Sequence, residues 1–338
     1  MKVIGITGTN GKTTTTHIVC EILQKAGYKA AKIGTITNRL TTPSPWELAE
    51  IFERERQKGT EYLVMEVSSH GIHQDRVKGI FFHVKALTNI TRDHLDYHKT
   101  FRAYKKVKYG WLRRGHGIKI TPRLWHKEKI DFAQPFSGKF NEHNLQTALA
   151  ILKSLNILPE PQLKKLFACL SPVPGRFEVI ARRPFMVIVD YAHTPDGVEN
   201  LLNAVLALRR KQGSGRIITV FGCGGDRDRG KRPKMGRLVL RKSDICVVTS
   251  DNPRTENPAA IIQDILTGMK QNFFTRAKQI KIEADRGRAI AQAMALADPG
   301  DFVVLAGKGH ETYQVIGTAR HHFDDHEEAQ KALELCLK

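Results

Sequence analysis

The 338-residue chain is long enough for two domains with separate cores, and its hydrophobic fraction of 41% includes no apolar run approaching the ~18 residues of a membrane helix, so a soluble protein is expected. Lys and Arg number 54 against 34 Asp and Glu, a formal net charge of +20, but the basic residues are scattered and no nucleic-acid module accompanies them. A basic surface can attract nucleic acid or phosphorylated small molecules; the expectation is the plain solvated cationic surface, with nucleic acid not expected as a partner.

Apolar strand-like runs alternate with helical patterns from end to end, the mark of an α/β protein. Strands are predicted at Lys2 to Thr7, Lys29 to Thr37, Glu61 to Val67 and Phe82 to Ile90, with helices at Thr13 to Ala26, Trp46 to Lys58 and Phe101 to Leu112. A basic, poorly patterned stretch from Arg113 to Phe136 follows. Helical periodicity then returns at Asn141 to Leu155 and Pro161 to Leu170. Pro172, Pro174 and Gly175 punctuate both helix and strand, and the domain boundary is expected there, giving domains 1–174 and 175–338. The second half repeats the alternation, with strands at Phe177 to Ala181, Phe185 to Asp190, Arg216 to Phe221, Asp244 to Ser250, Gln279 to Glu283 and Asp301 to Ala306. A helix from Pro195 to about Arg210 and others near Lys231, Pro258, Asp285 and His326 lie between or after them. No secretory pattern opens the chain, and Cys20, Cys169, Cys223, Cys246 and Cys336 are odd in number with no C-x-x-C pair. They read as reduced thiols of a cytoplasmic protein.

The segment from Gly5 to Thr13, GITGTNGKT, lies between a strand and a helix, the context of a phosphate-binding loop. Backbone N–H groups of Gly8, Thr9, Asn10, Gly11 and Thr14 can close around phosphate oxygens, Lys12 can neutralise the outer phosphates, and the Thr13 hydroxyl can ligate Mg²⁺. The strict pattern is not met, because Ile6 stands where its first glycine is expected. Glu66 ends a buried strand, where open α/β sheets gather ligand-binding groups, and can hold a metal opposite Thr13; the plain alternative is a surface glutamate. The polar run Ser68-Ser69-His70-Gly71, with Gln74 and Arg76, suggests an anionic substrate.

Nine strings, GITGTNGKTTT, TTP, MEVSSHG, TNITRDHLDYH, PGRFE, VDYAHTPD, FGCGGDRDRGKRP, SDNPRTE and LAGKGHETYQ, occur in an order that resembles the Mur ligases, specifically the MurE type, the UDP-N-acetylmuramoyl-tripeptide synthetases. The resemblance covers most of the chain. It implies a P-loop ATPase domain with a mainly parallel sheet followed by a Rossmann-like α/β domain. It also implies a monomer that uses ATP and Mg²⁺ to join meso-diaminopimelate to a muramoyl dipeptide, UDP-MurNAc-L-Ala-D-Glu, in peptidoglycan precursor synthesis. In such a reaction the acceptor carboxylate takes the γ-phosphoryl group and the incoming amine attacks the acyl phosphate.

By the same resemblance Lys12, Glu66, His94 and Lys108 are catalytic, and Thr13, Glu66, His94 and a carbamylated Lys108 hold metal. Taken alone, His94 reads as a loop histidine and Lys108 as part of a solvated lysine run with Lys105 and Lys106. ATP contacts carry over to Asn141, Asn144, Arg176, Asp190 and His193, and acceptor contacts to Thr41, Thr42, Ser68, Gln74 and Arg76. Asp251, Asn252, Pro253 and Arg254 match the string that accompanies diaminopimelate, whose distal carboxylate a guanidinium can pair bidentately. Arg227, Gly307 and Glu311 would complete that pocket.

The chain departs from the family pattern in two places. It begins at the first strand of the ATPase domain, so the amino-terminal UDP-gripping domain is expected to be missing, a role a separate UDP-binding protein could fill. It is also trimmed around 113–139. Two alternatives stand beside the leading reading: an amide ligase with another acidic acceptor such as folate or cyanophycin, and a ligase-inactive descendant that binds ATP or nucleic acid.

Overall fold

The computed structural model describes residues 1–270, 276–277 and 279–336. The chain forms two compact units, Met1–Pro172 and Val173–Lys338.

In the first unit the elements run β1 (Lys2–Thr7), α1 (Lys12–Lys25), β2 (Ala30–Ile33), α2 (Pro45–Gln57), β3 (Tyr62–Glu66), α3 (Ser69–His73), β4 (Val84–Leu87), α4 (Leu95–His98), α5 (Phe101–Arg113), β5 (Ile118–Ile120), α6 (Pro122–Trp125), α7 (Lys139–Ser154) and α8 (Glu160–Phe167). The strands form one sheet in the order β2-β3-β1-β4-β5, with every pair parallel. Both faces are covered, which is why its strands read as continuous apolar runs. Along β1, Ile4 and Ile6 face a core with Ile18 and Ile22 of α1 and Leu145 and Leu149 of α7. Val3 faces a second core with Leu48 of α2 and Trp111 of α5.

The basic stretch after Arg113 is more ordered than its pattern suggests. It holds β5 and α6, elements of three and four residues that are too short to display a period. They are tied in by Trp125, whose indole N–H donates to the Leu87 carbonyl at 2.9 Å, and by Lys85. The Lys85 ammonium is buried beneath the end of α5, donating to the carbonyls of Trp111 at 3.2 Å and Arg114 at 2.6 Å. A cation at a helix carboxyl end satisfies groups that the helix leaves unbonded.

The second unit runs β6 (Glu178–Ala181), β7 (Met186–Asp190), α9 (Pro195–Gln212), β8 (Ile217–Phe221), α10 (Arg232–Lys242), β9 (Ile245–Val248), α11 (Pro258–Leu266), β10 (Gln279–Ile282), α12 (Arg286–Ala295), β11 (Phe302–Ala306), β12 (Tyr313–Ile316), β13 (Ala319–His322) and α13 (Asp325–Cys336). Its sheet has the order β10-β9-β8-β11-β7-β6 and is parallel except where β6 runs antiparallel to β7. The β12–β13 hairpin was not foreseen: its strands have only four residues each, β12 is no more than half-buried and β13 is polar and exposed, so neither shows the fully buried apolar run of a sheet strand. Among the described residues, no helix is long and apolar enough to cross a membrane.

Candidate active site

Two groups of the residues singled out in the sequence are assembled, one in each unit. The first surrounds the turn from β1 into α1. Gly11 precedes α1 at φ 82°, and a Cβ there would meet Asn144 Oδ1 at 2.1 Å, so only glycine fits. Because Gly11 brings no capping side chain, the first amides of α1 point into the turn, as an anion site requires. Asn144 donates to Asn141 Oδ1 at 3.1 Å, and Asn141 to the Ser137 carbonyl at 2.9 Å, so both buried amides stand against the loop. Lys12 Nζ folds onto the carbonyls of Gly8 and Thr9 at 2.9 and 2.8 Å. The loop's other side is held by Asn10 N on Asn89 Oδ1 at 2.9 Å and by Thr9, whose hydroxyl meets Tyr104 Oη at 2.8 Å; Thr14 is buried in the helix.

Thr13 Oγ1 donates to Glu66 Oε2 at 3.0 Å. The same carboxylate accepts from Thr35, through N at 2.9 Å to Oε1 and Oγ1 at 3.2 Å to Oε2. Thr35 was not anticipated, and nothing in its local sequence distinguishes it from the surrounding threonines. From Glu66 the bonds continue into the residues expected to hold the acceptor: Thr35 Oγ1 lies 3.1 Å from Thr41 Oγ1, and Thr42 Oγ1 donates to the Glu66 carbonyl at 3.0 Å and accepts from Ser68 N at 2.9 Å. Arg76 donates to the Thr42 carbonyl at 2.8 Å and to Gln74.

Lys108, on α5, is 1% exposed, and its Nζ donates to the Gly8 carbonyl at 2.8 Å and to Thr7 Oγ1 at 3.3 Å. Burial and the nearby Lys12 hold this amine well below the usual lysine range, against a smaller opposing pull from Asp93. His94 sits at φ 53° with its Nε2 3.2 Å from Asp93 Oδ2. Tyr104 joins these parts, its ring 5.1 Å from Lys108 Nζ and 6.4 Å from the His94 ring. Among the described residues, no three His, Cys, Asp or Glu side chains cluster as a metal site made of those types alone would. Thr13 and Glu66 instead offer the hard oxygen donors that Mg²⁺ prefers.

The second group lies at the carboxyl ends of β7 and β11 and in the loop after β9. Asp190 accepts from the backbone N–H groups of Phe177 at 2.6 Å and Ala192 at 2.8 Å; burial pushes its carboxyl up while Arg176 and those N–H groups oppose the rise. Arg176 lies over the Tyr191 ring and 3.3 Å from His310 Nδ1, and His193 Nδ1 meets the Tyr191 carbonyl at 2.8 Å. Tyr191, missed in the sequence, also reaches the residues expected to bind the amino acid, its hydroxyl donating to Glu311 Oε1 at 3.4 Å.

Arg254 adopts φ 52°, and among the described residues its guanidinium donates to backbone carbonyls, Gly225 at 2.8 Å and Asn252 at 3.4 Å, not to a carboxylate. Burial and the neighbouring Arg227 pull its affinity for the proton down. Arg227 itself is exposed and donates to the Asp226 carbonyl. Asn252 donates to Glu311 Oε2 at 2.9 Å; Pro253 is buried beside it, and Gly307 leaves space for Asp251, whose Oδ2 would lie 2.5 Å from a Cβ. Glu311 is pushed up by burial and by Asp251, against Lys308 and Asn252.

Comparison with known proteins bears on the whole chain. The Mur ligase middle domain matches residues 6–120, and the Mur ligase glutamate ligase domain matches residues 175–309. A UDP-N-acetylmuramoyl-L-alanyl-D-glutamate--2,6-diaminopimelate ligase from Clostridium perfringens is 39% identical, with 99% of this chain and 78% of the relative covered. The chain belongs to the Mur ligase family. Its alignment with that ligase extends over 392 positions, more than the 338 residues present, so the relative carries internal residues that this Mur ligase chain lacks. A solved structure of a ligase of the same name is similar at TM-score 0.60 and 30% identity, covering 100% of this chain and 79% of the other. Folylpolyglutamate synthase of Mycobacterium tuberculosis, complexed with ADP and AMPPCP, shares the fold at TM-score 0.70 and 18% identity, with 90% and 88% covered.

Proposed function

We propose that this Mur ligase joins meso-diaminopimelate to the D-glutamyl carboxylate of UDP-MurNAc-L-Ala-D-Glu, splitting ATP to ADP and phosphate. The observation that carries the choice of amino acid is Arg254, a half-buried guanidinium bonded to carbonyls, in the same loop system as the Glu311 carboxylate. One group suits the distal carboxylate of diaminopimelate and the other its distal ammonium, whereas lysine offers only the ammonium. The name of the 39% identical relative supports the same reading.

In this reading the α1 amides, Lys12, Asn141 and Asn144 receive ATP, and Arg176, Asp190 and His193 are further nucleotide contacts that the family resemblance implies. Thr13 and Glu66 would hold Mg²⁺, with His94 and Lys108 as donors to a further ion; bound there, magnesium would neutralise charge on the transferred phosphoryl group. Lys108 suits that role because its amine is held well below the usual lysine range, which favours the unprotonated form that attacks CO₂ and, on losing a proton, becomes a carbamate, an anionic oxygen donor. Thr41, Thr42, Ser68, Gln74 and Arg76 would orient the acceptor carboxylate so that one oxygen attacks the γ-phosphorus and ADP departs. The diaminopimelate amine then attacks the acyl carbon, and phosphate leaves with the electron pair of the broken C–O bond. The five free thiols suit a reducing compartment, and the cytoplasm is the proposed place of work.

The test is ADP release with ATP, Mg²⁺ and UDP-MurNAc-L-Ala-D-Glu, with and without meso-diaminopimelate, and mass identification of the product. A diaminopimelate-dependent tripeptide product is expected. Equal ADP release with and without the amino acid, or a product only with another acidic acceptor, would overturn the assignment.

A further inference from the structure

We propose that Lys308 is the positioning residue of the amino-acid pocket, its ammonium fixing the Glu311 carboxylate and the Asn252 amide in the orientation that receives the distal end of the incoming amino acid. The inference rests on the preceding reading that Arg254, Asn252 and Glu311 face that amino acid.

Lys308 is fully buried, at 0% exposure. A buried ammonium is costly unless each of its three N–H groups finds an acceptor. Here all three do: the Tyr313 carbonyl, Asn252 Oδ1 at 3.4 Å and Glu311 Oε2 at 3.3 Å. Those acceptors come from β12, from the loop after β9 and from the turn after β11, so one charge ties three segments together. It also settles which way Asn252 points. The amide oxygen takes the Lys308 bond and one from Val315 N at 2.9 Å, which leaves the NH₂ group to donate to Glu311. Val315 in turn accepts from Arg254 N at 3.0 Å through its carbonyl, so the same pins hold the backbone that carries the guanidinium.

The arrangement also has an electrostatic side. Glu311 faces Asp251, Lys308, Tyr191 and Tyr313, with Arg286 and Arg254 nearby, and His193 faces Asp251. Two buried carboxylates so placed cannot both stay ionised without a shared cation. Arg286 is committed to Asp325 at 2.7 Å, and Arg254 donates to carbonyls. Lys308 is therefore the cation within hydrogen-bond reach of Glu311 that opposes the rise burial and Asp251 impose on its carboxyl, and only the charged form attracts an ammonium. The sequence placed Lys308 inside the LAGKGHETYQ string but gave it no task.

The experiment uses the full chain with Lys308→Met and Lys308→Gln, the second keeping a polar group without charge, and Lys308→Arg, which restores the charge. The Glu311 carboxyl titration is followed by ¹³C NMR, assigned with Glu311→Gln, alongside KM for diaminopimelate and for ATP across pH. In the two neutral variants the titration is expected to rise by about one pH unit or more. KM for diaminopimelate should rise by roughly tenfold near neutrality and fall again as pH is raised, with KM for ATP within about twofold. Lys308→Arg should bring the titration back. An unmoved Glu311 titration in a folded neutral variant overturns the proposal, whichever amino acid the enzyme uses. If the unaltered enzyme fails to use diaminopimelate, it is the preceding reading that falls, while the titration still decides the part played by Lys308.

Discussion

Lys108 Nζ lies 2.8 Å from the carbonyl oxygen of Gly8, 100 residues earlier in the chain, so the phosphate loop and α5 are fixed to one another by the amine itself. Burial and Lys12 hold that amine well below the usual lysine range, which favours its reaction with CO₂. Turnover is therefore expected to increase with added bicarbonate and to fall by on the order of 100-fold in Lys108→Ala, with partial return on adding a short carboxylic acid. Incorporation of ¹³CO₂ at Lys108, read by NMR, checks the chemistry directly. Full activity in CO₂-depleted buffer would contradict it.

Thr35 bonds the Glu66 carboxylate through both its amide and its hydroxyl. Residues that orient a metal ligand typically contribute 10–100-fold, so Thr35→Val should raise the magnesium concentration for half-maximal turnover by roughly tenfold or more. Glu66→Gln should raise it further. The measurement is ADP formation titrated with MgCl₂ at saturating ATP.

Arg286 and Asp325 form a bidentate ion pair at 2.7 Å with both side chains at 0% exposure. Removing one partner strands a buried charge, and Asp325→Ala should destabilise the second unit by roughly 3–5 kcal/mol. The double replacement Arg286→Met with Asp325→Leu should recover most of that loss, as followed by denaturant unfolding of the full chain.

His326 lies 3.0 Å from both Glu178 and Asp324, and the hydrogen bond to Glu178 leads the effects that raise its pKa to about 9. The raised value means that the folded state holds the proton more tightly. The contribution is complete below the ordinary histidine value of about 6.5 and is lost as pH rises through about 9. The difference in Tm between the unaltered protein and His326→Gln should accordingly be largest near pH 6, equivalent to about 2 kcal/mol, and should close above pH 9. A difference independent of pH would remove the charge from the explanation.

Much of the fold was legible because doubly covered parallel strands write themselves as apolar runs, and β1, β3, β7 and β11 were found within one or two residues. Elements whose order comes from distant partners were not. β5 depends on pairing with β4, α6 depends on Trp125 reaching Leu87, and the β12–β13 hairpin is held by bonds to Asn252 and Arg254. The candidate site divides in the same way. Lys12, Thr13 and Glu66 stand at the ends of patterned elements, where spacing points to them. Thr35, Asp93, Tyr191 and Lys308 act by holding another side chain, and such a bond has no signature in the linear order of residues.

The place of β1 between β3 and β4 has a consequence for biosynthesis. The strand emerges from the ribosome well before either neighbour exists, and Ile4 must wait for Val84, roughly 80 residues later, or about 4–16 s at ordinary elongation rates. During that interval its apolar residues have no sheet to join, and the Gly8 carbonyl has no Lys108 to meet. Synonymous codon changes that slow translation between β1 and β4 would prolong that exposure.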